Sequence, residues 1–162
     1  MQKTQEEKKR ELIDGLLAAR SSILEMVLAL SPEQRDVVYL GEWSVKDLLA
    51  HLVGWDITNF QAVNQILKGV YPSFFQFYDK DWRSYNARLV AEYKVEPFEA
   101  LLAELYDSHQ QLIACLEALP ASDLLNRKVL RANGRSVTIR NLLKAEATDE
   151  SQHALQLREF FV

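Results

Sequence analysis

The sequence predicts an all-α four-helix bundle with a long aromatic-rich crossover and a small hairpin or turn before the last helix. Three observations predict it. Four long stretches carry apolar residues at three- and four-residue steps. Glycine and proline number 5 and 4 in 162 residues, too few for the many turns of an all-β fold. One connection is long and dense in aromatic residues, which sets it apart from a simple loop.

The first helix is expected over residues 5–30, where Leu12, Ile13, Leu16, Leu17, Ile23, Leu24, Val27 and Leu28 carry the helical period. Ser31-Pro32 ends it, with Pro32 suited to the first position of a short turn or helix. The second is expected over 44–68. Ser44 suits the N-cap, and Asp47 adds a negative charge to the first turn. Its stripe is Val45, Leu48, Leu49, Leu52, Phe60, Val63 and Leu67, and Gly69 follows as a C-cap.

Residues 70–85 break the period. Tyr71, Phe74, Phe75, Phe77, Tyr78, Trp82 and Tyr85 are seven of the 16 aromatic residues. This stretch reads as a hydrophobic cap on the bundle or as the wall of a ligand pocket, and the two readings are compatible. A helix over 81–93 follows, then a third main helix over 97–119 with Phe98, Leu101, Leu102, Leu105, Leu112, Ile113 and Leu116 inward. Within residues 128–137, Asn133-Gly134 signals a two-residue hairpin turn. Thr138 caps the last helix, over 138–160, with Ile139, Leu142, Leu143, Leu157 and Phe160 inward.

Length and patterning point to a single domain over 1–162. The net charge of −4 argues against a nucleic-acid binder that works through a basic surface. No apolar run approaches the roughly 20 residues needed to cross a bilayer, so no membrane partner is expected. The first ten residues are charged and hold no apolar signal segment, and cytoplasmic location follows as the expectation. Cys115, alone in the chain, reads as a buried helical thiol before a nucleophile.

The last helix carries ionisable residues on its apolar face. At about 100° per residue, Glu146, Asp149 and His153 fall in the arc of Leu142, Leu157 and Phe160. Burying them without partners is costly. Asp149 and His153 are four apart, which suits two ligands of one metal ion or a His–Asp hydrogen bond. His51 lies at the edge of the second helix's stripe, and His109 lies between Leu105 and Leu112. Without a metal, Glu146, Asp149 or His109 are the candidate general acids or bases. Glu150-Ser151-Gln152-His153 matches the Glu-x-x-His element of di-iron bundles, but no second such pair faces it. Ser108 and His109 diverge by about 100° on a helix, so adjacency makes no nucleophile–base pair.

The run from Gly41 through Trp43, Ser44, Asp47 and His51 to Trp55 resembles the start of the second helix in DinB-like (YfiT-like) four-helix-bundle proteins. His153 with its preceding acidic residues resembles that family's closing motif. The segment Trp82-Arg83-Ser84-Tyr85-Asn86-Ala87-Arg88 and the pair Ser108-His109 resemble the ClbS/DfsB-like branch. The resemblance implies one divalent ion, zinc or nickel, held by His51, Asp149 and His153, with Asp149 standing where the family has a histidine. It implies a small-molecule ligand, one that is electrophilic or toxic, and a homodimer. A hydrolase or thiol-transferase-like enzyme, with or without metal, is one expectation, and a non-catalytic sequestering or stress-response module is the other.

Overall fold

The computed structural model describes residues 2–162. Four long helices form the body: α1 (Gln5–Ala29), α3 (Val45–Leu67), α6 (Phe98–Ala118) and α8 (Ile139–Phe161). Short helices α2 (Pro32–Arg35), α4 (Phe75–Tyr78), α5 (Trp82–Tyr93) and α7 (Ala121–Asn126) complete the helical set. The chain packs α1 chiefly against α8, and α3 against α6 and α5.

Local chemistry fixes the helix starts. Thr4 and Glu7 form a reciprocal capping box on α1, as do Ser31 and Gln34 on α2. At α3 the Ser44 amide and hydroxyl both donate to Asp47 Oδ2 at 2.8 Å, and Lys94 braces Asp47 from the side. Thr138 accepts from the Asn141 amide at the start of α8.

Two antiparallel hairpins flank the bundle. The strands β1 (Val38–Leu40) and β2 (Trp43–Ser44) turn through Gly41 at φ +58°, and the helical period gave no sign of them. The second, β3 (Lys128–Leu130) with β4 (Ser136–Thr138), is the expected hairpin with a different turn. The Gly134 amide donates to the Arg131 carbonyl, and Gly134 takes φ +79°. Asn133 thus sits in the middle of a longer loop. A two-residue type I′ turn needs positive φ at both central positions, and Asn133 does not adopt it.

Helix phase corrects three inward assignments. Phe160 is 51% exposed, while Phe161 packs against the core. Phe160 stands about 60° from Leu157 around the axis and Phe161 about 40°. Leu17 and Leu28 also face solvent. Cys115 is half-buried, and burial pushes its thiol up.

The core forms two apolar clusters. Ile13, Leu16, Val63, Ile66, Leu112, Leu116 and Leu143 belong to one, and Ile23, Val27, Leu49, Leu52, Leu101, Leu105 and Leu157 to the other. Between them each long helix contributes buried polar residues: Arg20 from α1, Asp56 and Asn59 from α3, Ser108 from α6, Glu146 and Glu150 from α8.

Gly54 permits the close approach of α3 and α5. A Cβ there would lie 2.7 Å from Leu89 Cβ and 3.1 Å from both its terminal carbons. Gly54→Ala is expected to lower stability by about 1 kcal/mol. Overpacking of about 1–3 kcal/mol outweighs the helix propensity gained. Urea unfolding measures this, and a stabilised variant would refute the tight α3–α5 contact.

Candidate functional site

His51 is buried on α3, and His153 is buried one turn beyond Asp149 on α8. Asp149 Oδ2 lies 3.3 Å from His51 Nε2 and 3.4 Å from His153 Nε2. One ligand atom from each of the three residues lies within 4.8 Å of the others. Asp149 is half exposed, at the edge of the α8 apolar face and not in its middle, so water reaches the cluster from that side. The indole of Trp43 covers the two imidazoles, with ring centroids 4.8 Å from His51 and 6.2 Å from His153. The β1–β2 hairpin therefore serves the site by placing that ring.

The electrostatics follow from the contacts. Burial opposes ionisation of Asp149, but the hydrogen bonds from His153 and His51 outweigh it and hold the carboxyl well below its usual range. Burial pushes the His51 imidazole down, against the partial support of Asp149. His153 Nδ1 donates to Gln156 Oε1 at 2.8 Å. Its Nε2 meets the Asp149 carboxylate at 3.4 Å, a contact that is attractive when a proton or a cation lies between the two. Two imidazoles and a carboxylate are a donor set for zinc or nickel, and Gln156 supplies the outer hydrogen bond that such a ligand histidine takes. The residues present fit one divalent ion.

Beside this cluster opens a cavity of about 490 Å³, bordered by both His51 and Asp149. Its walls include Trp55, Phe74, Phe75 and Tyr78, so the aromatic crossover caps the bundle and lines the pocket at once. Trp55 donates its indole N–H to Asn86 Oδ1 at 3.0 Å and meets Phe74, Tyr78 and Tyr85 at 5.5–5.6 Å between centroids. Burial and the nearby Asp149 push the Tyr78 phenol up and keep it neutral. Phe77 points outward beneath Arg88.

Glu146 also lines this cavity, from α8. Asn59 Nδ2 donates to its Oε2 at 2.9 Å, and its Oε1 is buried without a partner. His109 does not join Glu146 and Asp149. Its Nδ1 lies 3.4 Å from Asp56 Oδ1, and it borders a separate cleft with Leu17, Leu24 and Tyr106. The three candidate acid–base residues thus fall in two places.

Sequence reasoning overlooked a buried ionic cluster. Arg20 donates two hydrogen bonds to Asp56 at 3.0 Å and two to Glu150 at 2.7 and 2.9 Å. Ser108 donates to Asp56 Oδ2 at 2.9 Å. Ser108 and His109 diverge as expected for neighbours, yet reach the two oxygens of one carboxylate. Asp56, His109 and Glu150 also come close enough to hold a metal. The Arg20 guanidinium already occupies their carboxylates, and its charge repels a cation. The signal for Arg20 was available: it stands four residues after Leu16 and three before Ile23 on one helical face.

A four-helix body with a polar cluster at a cavity mouth defines a class of protein. Residues 16–157 match the model of the DinB superfamily, and the chain belongs to that family. No curated protein sequence matches it. Three solved structures share its fold. The colibactin self-resistance protein ClbS, solved in complex with a double-stranded DNA, is 22% identical over 94% of each chain, with a TM-score of 0.79. An uncharacterised protein from Escherichia coli UTI89 is 17% identical over 94% of this chain and 91% of its own, with a TM-score of 0.79. YfiT from Bacillus subtilis is described as a probable metal-dependent hydrolase with an unusual four-helix bundle topology. It is 18% identical over 99% of this chain and 89% of its own, with a TM-score of 0.69.

Proposed function

We propose that the chain binds a small molecule in the aromatic cavity and acts on it with one divalent ion held by His51, Asp149 and His153. The convergence of those three side chains, their ligand atoms within 4.8 Å of one another and His51 and Asp149 on the cavity wall, carries the reading. A bound ion of this kind supplies a Lewis acid and an activated water or thiol. The chain's own residues orient and shield. Trp43 keeps bulk water from the imidazoles, Gln156 fixes the His153 tautomer, and the aromatic walls hold the substrate. Hydrolysis or thiol transfer on an electrophilic molecule is the reaction class, and YfiT's description as a probable hydrolase supports it.

One observation favours a second reading. Asp149 already contacts both histidines, so its carboxylate has partners without a metal, while His51 Nδ1 is left buried without one. The same cavity then sequesters its ligand without catalysis. Both readings take a small molecule as the ligand, and the net charge of −4 argues against a basic nucleic-acid surface, while ClbS was solved with DNA. A mobility-shift assay with duplex DNA checks this point. No helix among the described residues is long and apolar enough to cross a membrane. A cytoplasmic homodimer remains part of the proposal.

Calorimetric titration of tag-free protein with zinc and with nickel separates the readings. One ion per chain is expected for the wild type, and His153→Ala is expected to abolish stoichiometric uptake with helix content unchanged. No uptake by the wild type would remove the metal-dependent reading and leave sequestration.

A further inference from the structure

The metal candidates leave a buried carboxyl of the cavity unused. Glu146 is 5% exposed, lines the cavity, and has a buried oxygen that no protein group meets. Its state follows from counting the charges around it. Asp56, Glu150 and Glu146 are all buried, with Arg20 paired to the first two and His109 against Asp56 at 3.4 Å. Arg20 spends its hydrogen bonds on Asp56 and Glu150 and makes none to Glu146. A third carboxylate there would be an unpaired buried charge. These surroundings favour the protonated form of Glu146. Burial, with Glu150 and Asp56 beside it, pushes its pKa well above the usual carboxyl value, and Arg20 offsets this only in part.

The contacts also favour one position for the proton. Oε2 accepts from the Asn59 amide, so the hydroxyl is favoured at Oε1, the oxygen without a partner. Oε1 is closed to solvent in the free protein, so a neutral carboxylic acid there offers its one hydrogen-bond donor, without negative charge, when the side chain turns toward the cavity. The walls beside it, Trp55, Phe74, Phe75 and Tyr78, are flat rings.

We propose that Glu146 is the ligand-reading group of the cavity and donates its carboxylic proton to an uncharged acceptor, a carbonyl oxygen above all, on a flat conjugated molecule. This deepens the small-molecule reading of the cavity and rests on it. A ligand with that acceptor satisfies the orphaned donor. One without it leaves the donor buried and unpaired, and an anionic group meets a region already rich in carboxylates.

The test uses chelator-treated protein at neutral pH and three naphthalene probes of equal size. Acetylnaphthalene carries the carbonyl, isopropenylnaphthalene is its hydrocarbon counterpart, and naphthoate is the anion. Equilibrium dialysis should show acetylnaphthalene bound about tenfold tighter than the hydrocarbon, the equivalent of one hydrogen bond, and naphthoate weakest. Glu146→Gln keeps an N–H donor and should keep the preference. Glu146→Met removes the donor and should erase it. Infrared spectroscopy of the free protein should show a buried protonated carboxyl band that Glu146→Gln removes. Equal binding of ketone and hydrocarbon by the wild type, a preference that survives Glu146→Met, or no protonated band would overturn the proposal with the cavity reading intact. Failure of all three probes to bind, with the infrared band present, would overturn the cavity reading itself, and the proposal with it.

Discussion

Arg20→Met is expected to lower folding stability by about 3–5 kcal/mol, because it leaves the buried carboxylates of Asp56 and Glu150 without their cation. Both carboxylates are fully buried, and Arg20 ties them together across three helices. The loss is a penalty for broken pairing, distinct from the net worth of the cluster. The expected pH dependence gives it a signature. Burial disfavours the Asp56 carboxylate, but the His109 hydrogen bond and Arg20 outweigh burial and hold its pKa below the ordinary aspartate value of 3.8. A carboxyl with a depressed folded pKa contributes fully above its unfolded pKa and loses that contribution as pH falls through the folded value. In Arg20→Met the carboxylates take up protons more readily. The gap between wild type and variant should therefore narrow as pH falls toward and below 3.8. Urea unfolding across neutral and acid pH measures both. A loss under about 1 kcal/mol, the range of an exposed ion pair, would show that the cluster is hydrated.

Phe74→Ala is expected to cost about 3–5 kcal/mol, the usual loss for a buried phenylalanine. Phe74 is 8% exposed, stacks on Phe75 at 4.1 Å between centroids, and meets Trp55 edge-on at 5.6 Å. It holds the crossover onto the bundle and forms part of the cavity wall. Its carbonyl also accepts the amides of Phe77 and Tyr78, so α4 and the ring are placed together. Thermal unfolding measures the loss, and hydrogen exchange should show the Phe77 and Tyr78 amides less protected. An unchanged melting temperature would mean that the crossover docks independently of the core.

The long helices were legible because each repeats its apolar positions over several turns, and Ser44 and Thr138 marked two of the starts. Asp149 and His153 could be paired from their spacing alone, since four residues on a helix fix a shared face. The placement of Phe160 was not so secure. Near a helix end a small difference in phase decides which of two adjacent aromatics turns inward, and Phe161 does. The turn at Asn133-Gly134 was visible as a turn, but its length depends on strand register, which extends beyond the pair.

The sequence by itself determined the helical class, the order of the long helices, the aromatic crossover and the pairing on α8. All of these rest on interactions within about four residues along the chain. Only the tertiary structure decided that Trp43 roofs the histidines, that Asp149 stands at the cavity edge, and that His109 turns to Asp56. It also decided that Arg20 pairs with two carboxylates from two other helices and makes no hydrogen bond to Glu146. Helical periodicity states which residues face inward. It does not state which inward residues from separate helices meet at one height of the bundle, and charge pairing depends on that meeting.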